Sequence, residues 1–409
     1  MKERLVQIIE HAYTTVPLYC DQMELPPDFE EKPVEEMLAL LPVLEKKQAV
    51  LENDRLFSSH YFSALYQNKL LKLHTSGSTG ECMNIYWDKA DYQRSLVPLF
   101  HRRKREHGIK PTDRFCYFYT ARDYGKSDKM MERNRYKIGF CKSNLTEERL
   151  VEIYHEIMKF ETVWIMTQPS LVILLCDIRE KYQLPEISTI RYIELTGEML
   201  FPQLREKIQR NFSADIVNHY GSMEVNSIAI EEKDGMMYVS ENVYAEVIDE
   251  KGQVLPEGEE GDICITTLDN YCMPMIRYRV GDKGRIRHVN GRQVLELTTG
   301  RINDYVYLEN GEKANSYIFV RAVDNTNEYL EHAIYQFCVI QKDINHFVIK
   351  LVVDQDVPKA EIEHSFRENM IQPGLENAIY DFVFCNTLMP DDEKGKMKYF
   401  ISEFANKGE

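Results

Sequence analysis

Apolar residues recur along this chain with two different periods, and the first stretch has the period of a helix. Leu5, Ile8, Ile9 and Ala12 fall on one face of a helix over residues 2–13. Charged residues occupy the other positions of the same stretch. The pattern therefore predicts an amphipathic helix that packs its apolar face on a core.

Between residues 91 and 217, short apolar runs alternate with amphipathic stretches. The pattern predicts strands at 114–119, 162–166, 190–195 and 214–217, and helices at 91–107, 148–160, 200–211 and from Pro169 onward. This alternation predicts a parallel sheet covered by helices on both faces. Ligands of such sheets collect at the carboxyl ends of the strands, so the segments that follow the strands are candidates for a ligand site.

The pattern changes again after Met236, where short strands alternate with glycine-containing turns and predict a small antiparallel sheet or barrel. Residues 303–409 have a strand and helix alternation of their own. We therefore expect an α/β protein with two domains. The domain over residues 1–302 would hold parallel sheets flanked by helices and a small β-barrel-like subdomain, and residues 303–409 would form a small α+β domain.

Composition limits the classes of ligand and the cellular compartment that we expect for this protein. The 409 residues include 44% hydrophobic and 28% charged residues, and the net charge of −16 disfavours nucleic acid and anionic lipid as ligands. The nine cysteines are scattered singly with no Cys-x-x-Cys pair, which favours reduced thiols. The most apolar segment, residues 163–176, is broken by Gln168 and Pro169 and is too short to span a bilayer. These features predict a cytoplasmic protein that binds neither nucleic acid nor membrane.

A run of small residues follows a predicted strand near residue 73 and is the first candidate for ligand chemistry. The run consists of Thr75, Ser76, Gly77, Ser78, Thr79 and Gly80. Glycine allows a ligand to approach the backbone closely, and the hydroxyl groups add hydrogen-bond donors without bulk, so the run suits a triphosphate. It lacks the lysine of a Walker loop. Taken alone, these residues fit a surface turn equally well.

A basic cluster, residues 102–105, ends the helix predicted over residues 91–107. Cations at the last turn of a helix are stabilised by the helix dipole and are usually solvated. The same four residues could instead receive a phosphate of a second substrate. The sequence leaves both interpretations open.

Five motifs in sequence order resemble those of the adenylate-forming superfamily, which comprises acyl-CoA synthetases and adenylation domains. They are Thr75-Ser-Gly-Ser-Thr-Gly80, Tyr220-Gly-Ser-Met-Glu224, Arg277-Tyr-Arg-Val-Gly-Asp282, Gly300-Arg-Ile-Asn-Asp304 and Gly395-Lys396. Other segments resemble the branch of phenylacetate-CoA ligase and the capsular-polysaccharide protein CapK. They are the Val-Pro-x-Tyr segment ending at Tyr19, Leu41-Pro-Val-Leu-Glu-Lys46, Thr196-Gly-Glu198 and Tyr335-Gln-Phe-Cys-Val-Ile-Gln341.

The resemblance implies a role for each motif. ATP would be bound by the residues of the 75–80 run and by Gly197, Glu198, Asn218, His219, Tyr220, Gly221, Ser222, Asp282 and Arg301. Tyr220 would pack on adenine, Asp282 would accept hydrogen bonds from the ribose, and Glu224 would help to hold Mg²⁺. Lys396 would be the catalytic residue, bridging the carboxylate and the α-phosphate.

The resemblance also implies an activity and a mobile C-terminal domain. A carboxylic acid would be activated by ATP to an acyl-adenylate and passed to a thiol, most simply that of coenzyme A. Transfer to a carrier-protein phosphopantetheine or to an amine, and a weakened relative that only binds a nucleotide, are the alternatives. Asn303 stands at the hinge position, where an acidic residue is usual in the family, and residues 231–243 lack the zinc ligands of some relatives.

The acid itself is the least predictable part. Tyr117, Phe118, Tyr119, Trp164 and the region of Thr196 could form an acyl pocket that suits an aryl or arylacetic acid. Aromatic strands are more often plain core. The sequence does not determine the acid, the acceptor, the pathway or whether the protein is a homodimer.

Overall fold

A computed structural model describes most of the chain, which it divides into two compact units. The described residues are 1–74, 83–119, 130–142, 145–299, 305–309, 311, 313–330, 333–370, 374–388 and 398–403. Unit 1 comprises residues 1–113 and 217–300, and unit 2 comprises residues 114–216 and 301–409. The domain boundary predicted between residues 302 and 303 stays a prediction.

Helices and strands alternate through much of the described chain. The helices are α1 (Lys2–Thr15), α2 (Pro17–Gln22), α3 (Val34–Ala39), α4 (Lys46–Leu51), α5 (Phe62–Tyr66), α6 (Lys89–His107), α7 (Glu147–Lys159), α8 (Pro169–Tyr182), α9 (Pro202–Asn211), α10 (Tyr317–Tyr329) and α11 (Lys359–Asn369). The strands of the first half are β1 (Leu71–His74), β2 (Asn84–Trp87), β3 (Phe115–Tyr119), β4 (Met131–Arg133), β5 (Lys137–Cys141), β6 (Trp164–Thr167), β7 (Tyr192–Thr196) and β8 (Asp215–Ser222). Those of the second half are β9 (Asn226–Glu231), β10 (Met237–Val239), β11 (Val243–Ile248), β12 (Gly261–Thr267), β13 (Tyr278–Val289), β14 (Arg292–Thr299), β15 (Tyr305–Tyr307), β16 (Lys313–Asn315), β17 (Ile334–Asp343), β18 (His346–Val353), β19 (Ile379–Phe384) and β20 (Phe400–Ser402).

Unit 1 is built on antiparallel strands with the amino-terminal helices in the same core. Its strands follow the order β11-β12-β13-β14-β10-β9-β8, and all neighbouring strands in this order are antiparallel. Leu5, Ile8 and Ile9 of α1 are fully buried in one hydrophobic cluster with Ile263 and Tyr278 of the sheet. The predicted amphipathic helix is therefore confirmed, and the apolar residues at helical spacing form its buried face.

Helix α6 of unit 1 shows how local sequence sets helix ends. Its N-cap is Asp88, whose carboxylate accepts hydrogen bonds from the backbone N–H groups of Ala90 and Asp91 at 2.9 and 3.4 Å. It ends at Gly108, whose φ of 66° is the left-handed conformation that glycine adopts at little cost. The predicted helix over residues 91–107 is confirmed with an earlier start.

Unit 2 contains the parallel sheet. Its strands follow the order β7-β6-β3-β5-β4, in which β3 is parallel to β5 and β6, and β6 is parallel to β7. Helix α8 is buried along most of its length, from Leu171 to Cys176. A second sheet, of order β19-β18-β17-β20, belongs to the C-terminal part of the same unit, and its Phe337, Phe347 and Phe400 share one hydrophobic cluster with α8 and α9.

The structure confirms the predicted α/β fold class and corrects one strand boundary. The strand predicted over residues 214–217 continues through Asn218 to Ser222, as β8. Asp282 also lies within a strand, β13. The reason is that β8 pairs with β9, as in Tyr220 with Ala229, and β13 pairs with β14. Among the described residues, no helix is both long enough and apolar enough to cross a membrane.

Candidate active site

Two of the predicted motifs meet in unit 1 through a hydrogen bond. The Tyr220 hydroxyl on β8 donates to Oδ2 of Asp282 on β13 at 2.6 Å, across 62 positions of sequence. Both side chains are only half-buried, so a ligand can reach them. A carboxylate oriented in this way is suited to accept hydrogen bonds from a polyol such as ribose.

Gly221 and Gly281 give this part of the sheet its backbone shape. A Cβ atom on Gly221 would lie 2.4 Å from the backbone oxygen of Asn226, so no larger residue fits without a shift. Gly281 has a φ of 92°, in the region that favours glycine, and it directly precedes Asp282. The glycines of these two motifs are thus required by the close strand pairing at residue 221 and by the positive φ at residue 281.

Glu224 is the last residue of the motif that begins at Tyr220, and its carboxylate is held by a tyrosine. Its side chain is 6% exposed, and Oε1 accepts a hydrogen bond from the fully buried Tyr278 hydroxyl at 3.1 Å. In the described residues, no group of three or more His, Cys, Asp or Glu side chains could hold a metal ion. A single oriented carboxylate nevertheless fits Mg²⁺, because this ion usually takes one or two protein carboxylates together with phosphate and water oxygens.

The remaining residues of the β8 motif have mixed environments. Nε2 of His219 lies 3.0 Å from Oγ of Ser227, which in turn lies 2.7 Å from Oγ of Ser240, so this ring belongs to an internal polar network. The backbone N–H of Asn218 donates to Glu231 at 2.8 Å. The hydroxyl oxygen of Ser222 is buried and has no hydrogen-bond partner within the described ranges.

Gly197 and Glu198 lie in unit 2, just after β7. Gly197 has a φ of 83°. Glu198 accepts hydrogen bonds from the backbone N–H and the hydroxyl of Ser170 at 3.1 and 3.0 Å, at the N-terminus of α8. A carboxylate at this end of a helix is stabilised by the helix dipole. Burial, together with the nearby charge of Glu198, raises the pKa of Tyr399 well above its ordinary value.

Several predicted site residues fall outside the described residues. They are Thr75, Ser76, Gly77, Ser78, Thr79, Gly80, Arg301, Asn303 and Lys396. Their roles stay predictions, as do the roles assigned to the described site residues.

The candidate acyl-pocket residues separate onto two faces of the parallel sheet. Tyr117 and Tyr119 form a small cluster with Cys141 and Phe115. Phe118 points the other way, as alternation along a strand requires, and lies in the main hydrophobic core. Trp164 stacks on Phe115 with ring centroids 4.7 Å apart, on the face of the two tyrosines.

Arg102, the first residue of the basic cluster at the end of α6, makes its contacts inside unit 1. Arg102 is 3% exposed and donates to the backbone oxygens of Tyr238 and Val239, each at 2.9 Å. Glu232 is bonded to Arg292 at 2.6 and 3.0 Å and lies 3.6 Å from Arg102. Burial alone would raise the pKa of Glu232, but the arginines outweigh it and hold that pKa below its ordinary value. Arg102 is thus committed to internal contacts.

Sequence reasoning placed Tyr278 within a motif but assigned it no role. Its hydroxyl contact with Glu224 joins positions 54 residues apart, so no local pattern could reveal it. The available signal was a tyrosine at a buried strand position, since a buried tyrosine hydroxyl usually needs a hydrogen-bond partner.

Comparison with known proteins finds relatives of two kinds. Residues 311–403 match the family model of the CapK C-terminal domain. The chain is 27% identical over 321 residues to a phenylacetate-coenzyme A ligase of Aromatoleum evansii, covering 75% of this chain and 70% of that protein. It is 23% identical over 359 residues to Protein CapK of Staphylococcus aureus, covering 82% of this chain and 75% of that protein.

A crystal structure of 2-hydroxyisobutyryl-CoA ligase, in the postadenylation state with an acyl-AMP compound, has the same fold. Its TM-score is 0.73 at 16% identity, covering 98% of this chain and 88% of that one. The fold and the homologues together define an adenylate-forming acid-thiol ligase. Within that superfamily, the chain is similar to phenylacetate-CoA ligases and to CapK.

Proposed function

We propose that this protein uses ATP to activate an aryl or arylacetic acid and transfers the acyl group to coenzyme A. The observation that carries the proposal is the Tyr220 to Asp282 hydrogen bond of 2.6 Å, because it unites two of the five motifs in one accessible site. Relatives named phenylacetate-coenzyme A ligase support the class of acid. The aromatic side chains of Phe115, Tyr117 and Trp164 on one sheet face would suit an aromatic ring.

In the first step, a carboxylate oxygen attacks the α-phosphorus of ATP, the bond between the α- and β-phosphates breaks, and pyrophosphate leaves. Lys396 places a positive charge between the two reacting anions, and the 75–80 run holds the departing phosphates. Asp282 accepts the ribose hydroxyls, and the buried hydroxyl of Ser222 gains a hydrogen-bond partner from the nucleotide.

Mg²⁺ would be held by Glu224 and would neutralise phosphate charge when bound. Tyr278 keeps the Glu224 carboxylate in one orientation through the 3.1 Å hydrogen bond. Arg301 would contact the ribose or a phosphate, and Asn303 would be the hinge about which the C-terminal domain turns between the two steps.

In the second step, the thiol sulfur of coenzyme A attacks the acyl carbon, the thiol proton is lost, and AMP leaves. A carrier-protein phosphopantetheine offers the same thiol chemistry, and an amine would give an amide. The eight described cysteines are free thiols, which suits a cytoplasmic location where ATP and coenzyme A are available.

Pyrophosphate exchange tests the proposal directly. We expect labelled pyrophosphate to enter ATP when an aryl or arylacetic acid is supplied, and thioester to form with free coenzyme A. Thioester formation only with a pantetheinylated carrier, or amide formation only with an amine, would move the acceptor to that alternative. ATP binding without exchange for any acid in a broad panel would contradict the proposed reaction and favour a nucleotide-binding relative.

A further inference from the structure

The chain segment that enters β13, residues 274–279, is held by contacts from distant parts of unit 1. Tyr19 of α2 is buried, and its hydroxyl accepts from the backbone N–H of Ile276 at 2.9 Å and donates to the backbone oxygen of Pro274 at 3.1 Å. A single hydroxyl thus bridges the backbone groups of Pro274 and Ile276. Burial raises the pKa of Tyr19, so this hydroxyl keeps its proton and can donate.

Leu44 holds the next part of the segment. Its backbone N–H donates to the oxygen of Arg277 at 2.9 Å, and its oxygen accepts from the N–H of Arg279 at 3.0 Å. These two bonds form a parallel bridge between Leu44 and Tyr278. The backbone on either side of Tyr278 is therefore fixed by the segment that begins at Leu41.

Arg277 is the unusual residue of the segment. Its φ is 48°, a left-handed conformation that is rare for a bulky side chain and persists only where the surroundings require it. The side chain is 2% exposed and fully engaged. Its Nε donates to Oε2 of Glu246 at 3.2 Å, and its Nη2 lies 3.1 Å from Oε1 of the same carboxylate. Nη1 and Nη2 donate to the backbone oxygens of Leu41 and Gly252, respectively, each at 2.9 Å.

Glu246 is the buried anion that this arginine requires. Burial raises the pKa of Glu246, and the attraction of Arg277 opposes that rise. The planar guanidinium bonds this carboxylate and two backbone oxygens at once, which fixes its orientation in a way that a lysine would not reproduce. The pair therefore sets the backbone at residue 277 and with it the direction of the next side chain.

The next side chain is Tyr278, which contacts Glu224. We propose that Tyr278 is a positioning residue for the Glu224 carboxylate, and that the Arg277 to Glu246 pair orients Tyr278 for that task. The inference rests on the proposed function, in which Glu224 binds Mg²⁺ together with ATP phosphates. Residues that orient a metal ligand commonly change metal affinity by about 10- to 100-fold when they are altered.

The test uses the Tyr278→Phe variant of the full chain, with binding measured by calorimetry. ATP is titrated at a series of MgCl₂ concentrations, and AMP is titrated in EDTA. We expect the MgCl₂ concentration that gives half-maximal enhancement of ATP binding to rise about tenfold, with AMP affinity unchanged within about twofold. AMP serves as the reference because its binding without metal does not depend on the orientation of Glu224.

Tyr238→Phe is the matched control, since Tyr238 donates to a carboxylate, Asp234, at 2.8 Å in the β10 hairpin, outside the proposed site. We expect its MgCl₂ dependence to equal that of the wild type. Arg277→Lys should reproduce the Tyr278→Phe shift, and the double variant should show less than the sum of the two effects. Because Arg277→Lys also alters a buried ion pair, its melting temperature is measured alongside.

The outcomes separate this inference from the proposed function. If MgCl₂ promotes ATP binding by the wild type, and the folded Tyr278→Phe variant shows the same MgCl₂ dependence, the inference is overturned. The proposed function is unaffected by that result. An equal shift in Tyr238→Phe also overturns the inference. A wild type that binds ATP with no response to MgCl₂ overturns both the inference and the role proposed for Glu224.

Discussion

Replacement of Asp282 by asparagine is the sharpest test of the candidate nucleotide site. Asparagine has nearly the same size as aspartate but carries no negative charge. It keeps one oxygen that can accept from the Tyr220 hydroxyl, which lies 2.6 Å from Oδ2 of Asp282 in the wild type. Hydrogen bonds to a charged group contribute about 1.5–3 kcal/mol, and neutral ones contribute about 0.5–1.5 kcal/mol. If two ribose hydroxyls bond the carboxylate, about 2 kcal/mol of nucleotide binding is lost.

That loss corresponds to roughly 30-fold weaker binding of both ATP and AMP, because each 1.4 kcal/mol is about a tenfold change. The measurement is a calorimetric titration with each nucleotide, together with the KM for ATP in pyrophosphate exchange. We expect the KM for the acid to stay within about twofold, because the proposed ribose contact is remote from the acyl group. The melting temperature should barely change, since Asp282 is half-buried.

Asp234→Asn is the control for this prediction. Asp234 also accepts a tyrosine hydroxyl, that of Tyr238 at 2.8 Å, but lies in the β10 hairpin. Nucleotide affinity in this variant should equal that of the wild type. A change of less than about threefold in Asp282→Asn, or an equal loss in both variants, would refute the assignment of Asp282 to the ribose.

Three further predictions concern the proposed catalytic lysine, a charge network and a hydrogen bond at the start of α8. Lys396→Ala should abolish pyrophosphate exchange while leaving thioester formation from pre-formed acyl-adenylate largely intact, and equal loss in both assays would contradict its role. Glu232→Gln should lower the free energy of unfolding by about 1 kcal/mol at pH 7, because it weakens a partly exposed charge contact with Arg292. The Glu232 pKa is lowered from 4.5 in the fold, so this contribution is present above pH 4.5 and lost as the pH falls through the folded pKa. Urea unfolding of both proteins should therefore show the difference shrinking below pH 4.5, whereas a constant difference would argue against a charge effect. Ser170→Ala removes the hydroxyl bond to Glu198 at the start of α8 and should cost about 1 kcal/mol in urea unfolding, with no change expected in Ser170→Thr.

The five motifs show what the sequence could predict and where the structure was needed. The order of the motifs was sufficient to predict the superfamily, which the homologues confirm. The motif spacing could not show that Tyr220 and Asp282 lie on strands, because strand pairing with β9 and β14 depends on residues distant in sequence. The contact between the two side chains is a consequence of that pairing.

The basic cluster of α6 and the aromatic strand β3 show the same limit. Residues 102–105 had two interpretations until the structure placed Arg102 against the backbone of β10. Tyr117 and Phe118 are adjacent and both aromatic, but alternation along the strand sends them to opposite faces. Their sequence alone does not say which face packs against the helices.

The sequence by itself determined those features that depend on residues close together in the chain. They are the apolar face of α1, the cap of α6 at Asp88, the end of α6 at Gly108 and the alternation of strands and helices that predicts a parallel sheet. The tertiary structure alone decided which distant groups meet. Tyr19 reaches Ile276 across 257 positions, and Tyr278 reaches Glu224 across 54, because chain folding brings together groups whose separation in sequence carries no information about their distance. The orientation of the proposed metal-binding carboxylate belongs to this second kind.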